Sequence, residues 1–164
     1  VEYGCPHRQL AKALASYKGV KRRFTYHIKT ENLVFIDDYA HHPEEINAVH
    51  QAVREMYPEK KVLAIFQPHL YSRTRDFIDD FAVNLSQFDE LILLDIYPAR
   101  ELPIEGVTSE WLLGKIENKN KKLVTKKELL TEINKTSAQI ILTIGAGDIG
   151  EEVKHIKKGL SIAS

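Results

Sequence analysis

Leu33-Val34-Phe35-Ile36-Asp37-Asp38-Tyr39-Ala40-His41-His42-Pro43-Glu44-Glu45 is the stretch on which the fold turns. Its opening apolar run, rich in β-branched and aromatic side chains, reads as a buried strand. Pro43 suits a first helical turn, and Glu44 and Glu45 suit the positive end of a helix dipole. Ile46, Val49, Val53 and Met56 then recur as one apolar helical face. A strand running straight into a helix is the unit of an α/β sheet. Between the two stand two carboxylates, a phenol and two imidazoles. Such a cluster either binds something or is costly to keep.

Upstream, residues 6–15 read as a short helix with Leu10 and Leu14 one turn apart, ended near Gly19. A basic connector, Lys18-Gly19-Val20-Lys21-Arg22-Arg23-Phe24, leads into the alternation of Phe24, Tyr26 and Ile28, which predicts a strand. Thr30-Glu31-Asn32 is a turn, so this strand pairs antiparallel with residues 33–36 as an edge hairpin.

Downstream, strands and helices alternate. Val62–Phe66 is a strand, Phe77, Phe81 and Leu85 a helical stripe, and residues 91–94 the next strand. A loop rich in proline and charge spans residues 97–106, and Trp111, Leu112 and Ile116 mark a helix. Thr125 with Glu128 forms a capping box ahead of Leu129 and Ile133. Ile140–Ile144 is the last strand, and Ile149, Val153 and Ile156 the last helix. Repeated β-α units with near-continuous apolar strands predict a mostly parallel sheet with helices on both faces. No internal repeat or low-complexity segment interrupts it.

A chain of 164 residues is enough for one packed α/β domain. Lys+Arg 23 balances Asp+Glu 23, so no global field draws nucleic acid or an anionic membrane. No apolar run approaches a membrane span. The single cysteine, Cys5, cannot make an internal disulfide and has no evident activating partner, which fits a reducing cytoplasm. With Met56 as the only methionine, the chain is expected to be a piece of something longer.

In parallel sheets, ligands bind beyond the carboxyl ends of the strands. Three polar clusters fall there: residues 37–43, then Gln67-Pro68-His69-Leu70-Tyr71-Ser72-Arg73-Thr74-Arg75, then Gly145-Ala146-Gly147-Asp148-Ile149-Gly150. The last satisfies G-x-G-x-x-G, but a dinucleotide fingerprint belongs at the first β-α turn with an acidic residue about 20 positions on. Close helix–strand packing and an anion at the helix N-terminus are the two readings left open. Asp37, Asp38, His41, His42 and His69 suggest a metal, yet the ligand spacings of structural zinc sites are absent and neighbouring side chains in an extended turn diverge. No metal is therefore expected; helix capping by Asp38 and a core histidine are the plainer roles. The Arg22–Arg23 doublet reads as solvated surface. Arg73, just after a strand and beside His69, could hold a carboxylate bidentately. There is no G-x-x-x-x-G-K-[ST] loop, since Gly114-Lys115 lacks its other residues, and no nucleophilic triad is signalled.

Residues 37–45 (DDYAHHPEE), 66–76 (FQPHLYSRTRD), 145–150 (GAGDIG) and 19–24 (GVKRRF) together resemble the C-terminal domain of the Mur ligases. Asp95-Ile96-Tyr97-Pro98-Ala99-Arg100-Glu101 is also typical, and the likeness covers essentially the whole chain. Within the family the joint pattern is most similar to the branch that adds L-alanine to UDP-N-acetylmuramate. Residues 37–43 alone are shared with the murein tripeptide branch, the first alternative; a stand-alone dinucleotide-binding domain is the second.

The resemblance implies a Rossmann-like domain at residues 21–164, with residues 1–20 the tail of a central ATPase domain and its linker. It implies a three-domain ligase that uses ATP and Mg2+ to phosphorylate the lactyl carboxylate of UDP-N-acetylmuramate, which the amine of L-alanine then attacks. This domain would close over the missing N-terminal and central domains, and by itself would be inactive. Arg23 would reach the ATP phosphates, Asp38 the ribose hydroxyls, and His42 the nucleotide. Tyr39, His41, His69 and Arg73 would line the L-alanine pocket, with Arg73 on its carboxylate. Leu70 stands where many members carry arginine.

Overall fold

The computed structural model describes residue 4, residues 6–16 and residues 19–163. Of the expected tail at residues 1–20, residues 1–3, Cys5, residue 17 and Lys18 lie outside the described residues. The first described element is α1 (His7–Ser16), which buries no residue. β1 (Thr25–Lys29) and β2 (Val34–Asp38) form the expected antiparallel hairpin. Its turn is closed by Thr30, whose hydroxyl accepts from the Leu33 amide at 3.0 Å and donates to the Leu33 carbonyl at 2.9 Å.

There follow α2 (Pro43–Met56), β3 (Val62–Phe66), α3 (Tyr71–Asp76), α4 (Ile78–Leu85) and β4 (Glu90–Leu93). Next come α5 (Ser109–Lys115), β5 (Lys121–Leu123), α6 (Lys126–Ile133), β6 (Ile140–Ile144) and α7 (Ile149–Ala163). The strands form one sheet in the order β1-β2-β6-β3-β4-β5, parallel throughout except for the edge pair β1–β2.

Every residue of β2, β3 and β6 is buried, because helices cover both faces. Successive strand residues point to opposite faces, and the core divides accordingly. Val34, Ile36, Ala64, Phe66 and Leu142 pack with Ile46, Val53, Phe81, Leu85 and Leu112 of α2, α4 and α5. Phe35, Leu63, Ile65 and Ile141 pack with Leu129, Ile133, Val153 and Ile156 of α6 and α7. Each buried valine, leucine, isoleucine or phenylalanine among them contributes about 1.5–3 kcal/mol. No described helix is long and apolar enough to cross a membrane.

The structure departs from the sequence reading in three places. β5 was not foreseen, because Lys121-Lys122-Leu123 is lysine-rich; lysines are a common way to blunt an edge strand. Phe77, expected to open one helical stripe with Phe81 and Leu85, instead separates two helices, and the short α3 before it carries Arg73. Met56 does not share the apolar face of α2: it is 50% exposed. Tyr57, four residues after Val53, takes the inward place instead and packs against the core.

Candidate functional site

The segments following β2, β6, β3 and β4 lie side by side at the carboxyl edge of the sheet. All four described non-glycine residues with positive φ adjoin this edge: Arg22 (58°), Phe24 (44°), Leu70 (75°) and Ala99 (51°). Strain of this kind concentrates where a structure over-determines its loops.

Its floor is a carboxylate pair. Asp37, 1% exposed, accepts from Arg22 Nε at 3.0 Å and from the Thr143 hydroxyl at 2.8 Å. Asp38, 5% exposed, accepts from the Phe24 amide at 2.6 Å and from the Ala40 amide at 2.8 Å. Both Asp38 oxygens thus hold the strained connector and the turn after β2. Asp38 does not cap α2; His42 is the N-cap, with Glu45 reaching back to the His41 and His42 amides at 2.9 and 3.2 Å. Burial alone would raise the Glu45 carboxyl, but those amides outweigh it and hold the group below its usual range.

Above the floor runs a line of rings: Tyr39 to His41 at 5.5 Å, His41 to His69 at 5.9 Å, and His69 to Tyr97 at 5.6 Å. It brings together the segments after β2, β3 and β4. Tyr39 lies under two guanidiniums, Arg22 at 5.1 Å and Arg23 at 5.6 Å from its centroid. Arg23 is half exposed, with a loose ion pair to Glu45 at 3.6 Å. His42 stands apart: its ring packs on Phe77 at 4.6 Å. The two adjacent imidazoles therefore diverge. Among the described residues no three His, Cys, Asp or Glu side chains converge as a metal site.

Arg73 completes the group. Its Nη1 reaches His69 Nδ1 at 3.2 Å and the His69 carbonyl at 3.3 Å. A guanidinium only donates, so His69 Nδ1 accepts and its proton sits on Nε2. His41 has the opposite arrangement, because its Nδ1 faces the Tyr39 carbonyl at 3.0 Å and must donate. Burial, then Arg73, then His41 push the His69 imidazole below its ordinary value. It is neutral at pH 7, and the positive charge at this spot belongs to Arg73.

The glycine loop after β6 is packed from within. Arg22 Nη2 donates to the Gly145 carbonyl at 2.6 Å, so the loop turns an oxygen toward a cation. Gln67, 2% exposed, accepts from the Ile149 amide at 2.8 Å and donates to Asp148 at 2.8 Å. A Cβ on Gly147 would stand 2.5 Å from the Gln67 side-chain oxygen and 2.7 Å from Tyr97 Cβ. Close packing, one of the two readings left open by the sequence, is observed. Arg22, which the sequence suggests is solvated surface, instead turns inward between Asp37 and the glycine loop; Gln67 lies in a cluster the sequence marks, but nothing local signals its packing role.

The family model for Mur ligase, glutamate ligase domain, matches residues 22–154. The chain is 68% identical over 158 residues to the UDP-N-acetylmuramate–L-alanine ligase of Flavobacterium psychrophilum, covering 96% of this chain and 35% of that protein. Among solved structures it is similar to the UDP-N-acetylmuramate–alanine ligase of Thermotoga maritima, with TM-score 0.78 and 25% identity over 99% of this chain and 35% of the other. A murein peptide ligase of Psychrobacter arcticus shares the fold at TM-score 0.67 and 18% identity, covering 91% of this chain and 32% of the other. The chain thus spans about a third of the relatives it matches.

Proposed function

The chain belongs to the Mur ligase family, as its glutamate ligase domain, and from this premise we propose that it is the C-terminal domain of a ligase joining L-alanine to UDP-N-acetylmuramate. Support comes from the 68% identical relative of that activity and from the site at the sheet's carboxyl edge. In this reading ATP and Mg2+ activate the carboxylate of the sugar nucleotide, and this domain delivers the amino acid and closes over the reaction. Closure would exclude water from an acyl phosphate otherwise open to hydrolysis.

The observation that carries the reading is Arg73. Among the described residues its Nη1 alone has partners, on His69, which leaves Nε and Nη2 to grip a carboxylate. L-Alanine offers a carboxylate, an amine and one methyl group, so charge pairing must supply most of its binding energy. His69 orients the guanidinium, and His41 and Tyr39 wall the pocket. Arg23, half exposed and loosely paired, fits an ATP phosphate. Asp38 fits the ribose less well than its sequence suggests, because both oxygens are already engaged. The His42 ring fits a structural contact with Phe77 better than a nucleotide. No ligand set for Mg2+ is assigned to these residues.

Steady-state kinetics of the full-length ligase, varying each of the three substrates in turn, test the proposal. Arg73→Ala should raise the KM for L-alanine by the equivalent of about 2–4 kcal/mol and spare the other two substrates. Arg73→Lys should recover only part, since a point charge cannot reproduce the bidentate grip. An unchanged L-alanine KM with lower thermal stability would make Arg73 scaffolding.

A further inference from the structure

We propose that Glu101 is a positioning residue for Arg73, capping α3 from outside and thereby aiming the guanidinium at an incoming carboxylate. The inference rests on the reading of Arg73 given above.

α3 begins without a local cap, because its N-cap residue is Leu70, whose side chain has no acceptor. Leu70 is further committed elsewhere: its amide donates to the Tyr97 carbonyl at 2.9 Å, and its own carbonyl accepts from the Thr74 amide and hydroxyl. The missing acceptor comes from 29 residues along the chain. Glu101 accepts from the Ser72 amide at 2.9 Å through one oxygen and from the Ser72 hydroxyl through the other. Glu101 is in turn fixed by a tight turn, its amide donating to the Pro98 carbonyl at 2.9 Å. Tyr97, at the root of that turn, donates to the Pro68 carbonyl at 2.8 Å and stacks on His69. The loop after β4 therefore braces both supports of the guanidinium, the helix that carries Arg73 and the imidazole it leans on.

The arrangement has a second consequence. The Ser72 hydroxyl and amide, and to a lesser degree the field of Arg73, hold the Glu101 carboxyl below its usual range, so it is ionised at neutral pH. An ionised carboxylate beside a guanidinium ordinarily pairs with it. Here Ser72 occupies both carboxylate oxygens, and Arg73 turns back to His69 instead. Ser72 thus keeps the chain's own carboxylate from filling the place reserved for the ligand's.

The experiment is steady-state kinetics of the full-length ligase carrying Glu101→Ala, Glu101→Gln, Ser72→Ala or Arg73→Ala, with L-alanine, ATP and UDP-N-acetylmuramate varied separately. Glu101→Ala should raise the KM for L-alanine about tenfold and leave the other two KM values within about twofold. Glu101→Gln should stay within about twofold of wild type, because the amide can still accept from the Ser72 N–H and donate to its hydroxyl oxygen. Ser72→Ala, which deletes one contact and suits a helix, should raise the L-alanine KM about threefold. A Glu101→Ala enzyme with unchanged L-alanine KM but lower thermal stability would overturn the proposal, as would a glutamine variant no better than the alanine. An unchanged value for Ser72→Ala overturns it even where Glu101→Ala fails to fold. If Arg73→Ala itself leaves the L-alanine KM alone, the reading of the pocket falls, and with it this inference. If Arg73→Ala raises it and Glu101→Ala does not, only the positioning role falls.

Discussion

Arg22 Nη2 donates to the Gly145 carbonyl at 2.6 Å, so a side chain from the entry to the first strand fills the glycine loop that follows the last parallel strand. The same guanidinium holds Asp37 through Nε at 3.0 Å. Arg22→Ala would leave Asp37, 1% exposed, with the Thr143 hydroxyl as its one remaining side-chain donor among the described residues. The expected loss is about 3 kcal/mol, within the range for breaking a buried ion pair by removing one partner. Urea unfolding of this chain measures it, and a loss below about 1 kcal/mol would class Arg22 with ordinary surface ion pairs.

Asp38 leads to a different expectation from the one its sequence context suggests. The Phe24 and Ala40 amides each donate to one of its oxygens, and Phe24 sits at φ 44°. Asp38→Asn keeps one accepting oxygen and turns an NH2 toward the other donor. Stability should fall by about 1–3 kcal/mol, the cost of one unsatisfied buried donor. Amide exchange at Phe24 or Ala40 should accelerate. A variant as stable as the parent, with both amides still protected, would return Asp38 to a purely ligand-facing role.

The fold was legible because its strands are continuous apolar runs and its helices carry clear stripes. Val62–Phe66 and Ile140–Ile144 match β3 and β6 residue for residue, and the Thr125–Glu128 capping box forms with both the Thr125 amide and hydroxyl on Glu128. What the sequence hid depends on distant partners. Lys121–Leu123 becomes a strand only because β4 offers it an edge. α3 begins at a leucine that no local pattern would name as a cap. In the site, the meeting of the segments after β2 and β3 was legible because both follow strand ends; the choice of Tyr39, His41, His69 and Arg73 as one pocket comes from the resemblance alone. The engagement of Asp38 by two amides was not legible, because a carboxylate looks the same in sequence whether it faces a ligand or its own backbone.

Acidification should weaken the fold in two stages. Burial pushes the His27, His50 and His69 imidazoles below their ordinary value. Below pH about 6.5 the unfolded chain binds protons that these groups in the folded chain do not, so stability falls as pH drops through that window and is full above it. The second stage concerns carboxyls. For Asp89 and Asp148 burial acts upward, but Arg54 and Lys126 respectively outweigh it and hold these groups below their ordinary range. Their stabilising contribution is present above pH about 4 and is lost as pH falls further. Unfolding free energies between pH 8 and 3 should decline in both windows, and a flat profile from 7 to 5 would contradict the first.

The isolated chain should neither hydrolyse ATP nor form an amide, since it carries no phosphate-cradling G-x-x-x-x-G-K-[ST] loop. Its ligand contacts are also half of a composite site in the proposed reading. Affinity for ATP or L-alanine should therefore be no better than about millimolar, worth roughly 4 kcal/mol. Calorimetric titration checks this; a micromolar value for either ligand would mean that the pocket is complete without the rest of the ligase.

Gly147 separates the packing role of the glycine loop from a phosphate-binding one. It does not need the left-handed backbone region, so alanine there would be unstrained if there were room. There is none: its Cβ would lie 2.5 Å from the Gln67 side-chain oxygen and 2.7 Å from Tyr97 Cβ. Gln67 is held on both sides by Ile149 and Asp148, and Tyr97 is fixed by its backbone bonds to Pro68 and Leu70. Neither can yield without moving the segments after β3 and β4. Gly147→Ala should therefore cost about 1–3 kcal/mol as an overpacked contact. The displacement should pass through Tyr97 to the stacked His69 and so to Arg73. In the full-length ligase that predicts a raised KM for L-alanine with the KM for ATP little changed. A glycine kept for close approach of a phosphate predicts the reverse: full stability and weakened ATP binding. Unfolding of the chain together with the two KM values in the ligase distinguishes these outcomes, and the second pattern would restore the anion-binding reading of the loop.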